Sequence, residues 1–222
     1  MTHLETELKK LKEDTTEMWR LVIQQLEKAL HSLRTFDKDF SRDVISSEKR
    51  VNAMELKIDR DCESIFALYN PVAIDLRFAL ATLKINNNLE RIGDIAEGIC
   101  KFILSEKEPF DKELLNCTQF DLMYESANQI VLDVLKAFEE EDTKLARSIF
   151  KKDELLDDIN AEANKNVAEF ILKHPEKTEQ ALNVLSIIRR LERVGDQSKN
   201  IAEEIIFYIE AKVLKHYKNN KK

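Results

Sequence analysis

Apolar side chains recur every three or four positions along nearly the whole chain. The run opens with Leu4, Leu8, Leu11, Met18, Val22, Leu26, Ala29, Leu33 and Phe36. A stripe of that period lies on one face of an α-helix and buries it against partners. Comparable stripes follow, and they are interrupted at few places. Pro71, Pro109 and Pro175 each end a periodic run, because the residue before a proline is pushed out of the helical region. Two polar breaks, near Asp37–Asp39 and Glu139–Asp142, complete the punctuation. The pattern predicts six helices, over about 3–36, 40–69, 73–105, 112–140, 143–173 and 177–217, with boundaries uncertain by ~2–4 residues.

The halves repeat. Leu89-Glu90-Arg91-Ile92-Gly93-Asp94 matches Leu191-Glu192-Arg193-Val194-Gly195-Asp196 at a shift of 102 residues, each in the third helix of its half. Similarity on this scale points to duplication of one helical unit. The expectation is an all-α fold of two tandem, pseudo-symmetric three-helix bundles, residues 1–107 and 108–222, joined near Ser105 to Pro109.

Composition agrees. There are three glycines and three prolines in 222 residues, where an average soluble chain would carry about 15 and about 11. Sheets need turns, and turns need those residues. A net charge of −7 argues against nucleic acid as a partner, since such domains carry a basic face. The basic run from Lys212 to Lys222 reads as a solvated helix end. No apolar run approaches the ~20 residues of a membrane span, and Met1 to Lys10 lacks the apolar segment of a signal peptide. Cys62, Cys100 and Cys117 have no metal or redox spacing and read as small apolar fillers in a reducing compartment, so a cytoplasmic address is expected.

The candidate chemistry lies in acids and two glycines. A mid-helix glycine costs about 1 kcal/mol relative to alanine, yet Gly93 and Gly195 sit mid-helix at matching positions. Each follows a glutamate by three and directly precedes an aspartate. Either the helices pack closely there, or the gap admits something between Glu90 and Asp94, and between Glu192 and Asp196. Gly98 has no counterpart, Asn200 standing there instead, and receives no role. Acids four apart share a helix face and repel, and a cation would turn that repulsion into a binding site. Chance alone supplies roughly eight such pairs here, so the weight comes from recurrence inside a repeated hexamer. The preceding helix offers Asp153 and Asp157 in the second half, and Glu48 and Asn52 in the first. An amide ligates without charge, so tighter cation binding is expected in the second half.

At about 100° per residue, Glu90, Asp94, Glu192 and Asp196 fall opposite the apolar stripes of their helices, and Glu48, Asn52, Asp153 and Asp157 fall at the flank. All eight are expected in an open surface groove. Di-iron carboxylate bundles bury their ligands and use Glu-x-x-His, and none of His3, His31, His174 or His216 stands in that motif. Oxygen ligands alone favour hard ions such as Mg²⁺, Mn²⁺ or oxidised iron. No phosphate loop, activated nucleophile or dinucleotide fingerprint is present, and no enzyme is expected.

At these residues the sequence resembles the PhoU family. Leu89–Asp94 and Leu191–Asp196 resemble its paired L-E-R-I-G-D motifs, Pro71-Val72-Ala73-Ile74-Asp75-Leu76-Arg77 its P-V-A-x-D-L-R segment, and Ile201-Ala202-Glu203-Glu204 the stretch closing its last helix. The resemblance implies a cytoplasmic accessory protein of the high-affinity phosphate ABC transporter. It would restrain the phosphate sensor histidine kinase when phosphate is plentiful, contact the transporter ATPase, and reach the membrane only through these partners. It also implies a homodimer, and metal ions, iron foremost, on Glu48 with Asn52, Glu90 with Asp94, Asp153 with Asp157, and Glu192 with Asp196. Asn52 departs from the family's aspartate, and Gln197 stands where many relatives have histidine. The competing readings are a regulator of another phosphate carrier, a metal-dependent enzyme or store on the same scaffold, and a structural module whose acids merely face water.

Overall fold

The computed structural model describes residues 2–214, all of whose long elements are helices. These are α1 (His3–Thr35), α2 (Lys38–Tyr69), α3 (Ala73–Ser105), a short α4 (Lys112–Cys117), α5 (Phe120–Glu140), α6 (Thr143–Lys173) and α7 (Thr178–Glu210), with a 3-10 turn at Pro175–Lys177. The first bundle is α1–α3 and the second is α5–α7, as the duplication predicts.

Local chemistry sets the ends. Thr2 and Glu5 form a capping box on α1, the Glu5 amide donating to Thr2 Oγ1 at 3.2 Å and the Thr2 amide to Glu5 Oε2 at 2.7 Å, which satisfies two otherwise orphan donors. Asp37, Asp111 and Asp142 cap α2, α4 and α6 in the same role. Asn70, left-handed at φ 45°, closes α2 before Pro71.

The fourth predicted helix is not continuous. It breaks at Thr118–Gln119, where Gln119 is left-handed (φ 53°) and the Thr118 hydroxyl bonds back to the Leu114 carbonyl at 2.8 Å. Leu114 and Phe120 are both fully buried. Six residues of unbroken helix would turn the second roughly 240° from the first, so the break lets both reach the core. The last helix stops at Glu210, with Ala211 left-handed. Tyr208 is the last residue of that helix to enter the core. The predicted continuation to 217 runs partly outside the described residues, as does most of the basic run ending at Lys222.

The bundles are joined by two antiparallel seams. Along α3 and α7, Lys84 pairs with Glu204 (3.1 Å), Asn200 donates to Asn88 (3.4 Å), and Arg190 lies against Gly98. Along α1 and α5, Arg34 meets Asp121 and Glu125, Arg20 meets Glu139, and Lys12 meets Glu141. Trp19, Phe78, Phe138 and Tyr208, one from each of these four helices, form a buried cluster with Phe138 5.5–6.4 Å from the other three rings. Cys62 and Cys100 are buried as expected, whereas Cys117 is exposed. No described helix is long and apolar enough to cross a membrane.

Candidate functional site

The second helix of each bundle passes beside the repeated hexamer of the third. A side-chain carbon at Gly93 would stand 3.1 Å from Gln25 Oε1, 3.3 Å from Glu48 Oε2 and 3.3 Å from Val51 Cγ1. At Gly195 it would overlap Asp153 Oδ1 and lie 2.7 Å from Leu156 Cδ1. The helices do pack closely at both glycines, and what enters each gap is a carboxylate of the neighbouring helix.

Glu48 and Asp153 are therefore buried, 6% and 2% exposed. This corrects the expectation of eight groups in an open groove. An angle measured from a helix's own stripe places a side chain at the flank, and here the flank is covered by the third helix. Glu90, Glu192 and Asp196 are half-buried, while Asn52, Asp94 and Asp157 are exposed.

Burial and mutual repulsion act on these acids together. Burial pushes the Glu48 carboxyl up to about 7, against a hydrogen bond from Gln25 Nε2 to Oε2 (2.8 Å), with further repulsion from Asp94, Glu97 and Glu90. Glu90 is raised by burial and then by Asp94 and Glu55. Glu192 is raised by burial and then by Asp196, Asp157 and Asp153. Each half thus gathers acids from two helices within electrostatic reach.

The second half contains a cation of its own. Lys199 Nζ lies 2.5 Å from Asp153 Oδ2 and 2.8 Å from Asp196 Oδ1. Burial opposes its charge, but the hydrogen bonds to both aspartates outweigh this and hold the ammonium above its ordinary range. The 102-residue shift that aligns the hexamers puts Glu97 at the corresponding place in the first half. Glu97 adds an acid there, itself paired with Lys101 at 2.5 Å. Neither Glu97 nor Lys199 was singled out in the sequence, although extending the repeat three residues past each hexamer pairs them directly.

The donor chemistry suits a hard cation. The grooves carry carboxylate oxygens from two helices, and Glu48 Oε1 and Asp153 Oδ1 are buried without a hydrogen-bond partner. Among the described residues, however, no three acidic, histidine or cysteine side chains converge to hold one ion.

Comparison with known proteins identifies the family of the fold. The PhoU domain profile matches residues 15–103 and again 120–205, once per bundle. The chain is 36% identical over 220 residues to phosphate-specific transport system accessory protein PhoU homolog 1 of Thermotoga maritima, covering 97% of this chain and 92% of that one. It is 30% identical to the PhoU accessory protein of Escherichia coli, covering 95% and 86%. The crystal structure of PhoU from Pseudomonas aeruginosa superposes with a TM-score of 0.89 at 27% identity, over 95% of this chain and all of that one. The phosphate transport system regulatory protein PhoU of Streptococcus pneumoniae gives 0.84, also at 27% identity, over 95% and 99%. These names are those of accessory and regulatory proteins, not of enzymes. With both bundles matched and the relatives covered nearly end to end, the chain belongs to the PhoU family.

Proposed function

We propose that this protein is a cytoplasmic regulator of phosphate uptake and signalling, which restrains a phosphate sensor histidine kinase and the ATPase of a phosphate ABC transporter when phosphate is plentiful. The observation that carries this reading is the match to phosphate-transport accessory proteins over nearly the whole chain. The exposed apolar side chains suit an adaptor. Leu68, Val72 and Ile74 are 70%, 70% and 50% exposed around the α2–α3 turn, and Leu172 and Leu182 are 83% and 49% exposed around the α6–α7 turn. Because α3 and α7 run antiparallel and each has 33 residues, these turns stand at opposite ends, about 50 Å apart. Two partners can be held at once.

Metal ions, iron first and Mg²⁺ or Mn²⁺ as alternatives, load the acid grooves in this proposal. Glu48, Glu90 and Asp94, with Glu97 and the amide oxygen of Asn52, would hold a cation in the first half. Asp153, Asp157, Glu192 and Asp196 would do so in the second, where Lys199 already supplies positive charge. The first half therefore loads first in this proposal, the reverse of the order expected from the uncharged amide of Asn52, because Lys199 already pairs with Asp153 and Asp196. A bound cation would neutralise the repulsion between α2 and α3 and tie them together.

The test joins the purified chain with the transporter ATPase and the cytoplasmic part of the kinase, alongside variants Val72→Asp/Ile74→Asp and Leu172→Asp/Leu182→Asp. Binding of both partners, with each variant losing one, is the expected result. A chain that binds neither but represses another phosphate carrier in cells would replace the proposal with the second regulator reading. Elemental analysis of the same preparations reports the metal separately.

A further inference from the structure

The α3–α7 seam encloses a groove of about 460 Å³ that adjoins the first acid groove through Asp94 and Glu97. Its walls carry Arg91 and Lys101 from α3 and Arg190 and Arg193 from α7. We propose that this groove is a binding site for a phosphate group.

The arginines are arranged for a ligand that is not part of the chain. Among the described residues, none of the three has a carboxylate within ion-pair distance, so three like charges share one groove with no direct ion pair. Lys101 is taken by Glu97. Asp94 is the remaining acid on the wall, and three guanidiniums against it leave two positive charges, which a phosphate dianion matches. Guanidinium also presents paired donors at the spacing of phosphate oxygens.

Arg190 is held in place from two sides. Its Cζ lies 5.4 Å from the centroid of the Phe102 ring, a cation–π contact. A side-chain carbon on Gly98 would stand 2.6 Å from its Nη1 and 2.9 Å from its Cζ. Gly98, the glycine without a counterpart in the repeat, thus opens the space in which this guanidinium rests. Arg91 and Arg193 occupy the same position of the two hexamers, so the duplication that places one acid groove in each bundle also brings two arginines together at the seam. The corresponding stretch at the other end of the seam, Asn88 with Asn200 and Lys84 with Glu204, is neutral or paired. The site occurs once per chain.

The phosphate can be inorganic or carried by a nucleotide, and a binding experiment separates the two. Calorimetry on the full chain with EDTA present, so that no metal bridges the anion, would compare inorganic phosphate, ADP and sulfate. Phosphate or ADP is expected to bind, with sulfate weaker, and Arg190→Gln/Arg193→Gln is expected to lose about 10-fold to 100-fold in affinity. Tighter binding of ADP than of phosphate assigns the nucleotide, and equal or tighter phosphate assigns the free ion. Arg91→Gln, on the opposite wall, gives an independent check if the double variant does not fold. Failure of both phosphate and ADP to bind at millimolar concentration, or binding unchanged in folded arginine variants, overturns the proposal. The result is independent of which proteins the chain regulates.

Discussion

Asp153 is seated in the gap left by Gly195, so the carboxylate and the missing side chain are two halves of one packing arrangement. Alanine is favoured over glycine by about 1 kcal/mol in a helix. Here its methyl would overlap Asp153 Oδ1 and press on Leu156 Cδ1, and overpacking costs about 1–3 kcal/mol. Gly195→Ala is expected to lose about 1–3 kcal/mol in urea unfolding of the metal-free protein. Gly93→Ala meets the flexible end of Gln25 at 3.1 Å instead and is expected to stay within about 1 kcal/mol of the parent.

The Glu48 carboxyl supplies a pH dependence with a definite sign. Its folded value of about 7 lies above that of an unfolded glutamate, about 4.3. Between these values the folded state holds the proton more tightly, so stability from this group is complete below the unfolded value and falls as pH rises to 7. Glu48→Gln keeps an acceptor for Gln25 and removes the charge. In EDTA at pH 8 the variant is expected to be more stable than the parent by about 1–3 kcal/mol, and to equal it near pH 4. Denaturant midpoints at the two pH values check both claims.

Lys199 acts as the resident cation of the second half, so removing it leaves Asp153 buried and uncompensated. Lys199→Met is expected to cost about 2–4 kcal/mol without metal, less than a fully buried pair because the lysine is partly exposed. Added Mn²⁺ is expected to restore more stability to this variant than to the parent. In the first half Glu97→Lys imports the same device, and lower metal content by elemental analysis is the expected outcome.

Phe138 couples the halves through Trp19, Phe78 and Tyr208. Truncating a buried aromatic of this kind costs about 3–5 kcal/mol. The parent is expected to melt in one calorimetric transition, and Phe138→Ala is expected to lower it and to separate it into two.

Much of this fold was legible in the chain because its punctuation is sparse and strong. Pro71 and Pro175 mark true interruptions, and the stripe opening at Leu4 runs the length of α1. The break at Thr118–Gln119 left no such mark, having neither proline nor glycine. It answers to the joint burial of Leu114 and Phe120, which is a tertiary demand. The site was legible in part for the same reason. The hexamers identified the two glycines, but the depth of Glu48 and Asp153 depends on a neighbouring helix that no single-helix angle contains. Arg190 gave no sign at all, since its meaning rests on Gly98, 92 positions away in the sequence.

That pairing has a further consequence. In a dimer of identical subunits every contact across the two-fold axis occurs twice, so no change at such an interface can be made alone. The α3–α7 seam has the layout of such an interface, but both sides are encoded in one chain. Gly98 with Arg190 at one end and Asn88 with Asn200 at the other show the symmetry relaxed by linkage. Once tied together, the two copies were free to evolve separately, so that each end of the interface can be altered without altering its mate.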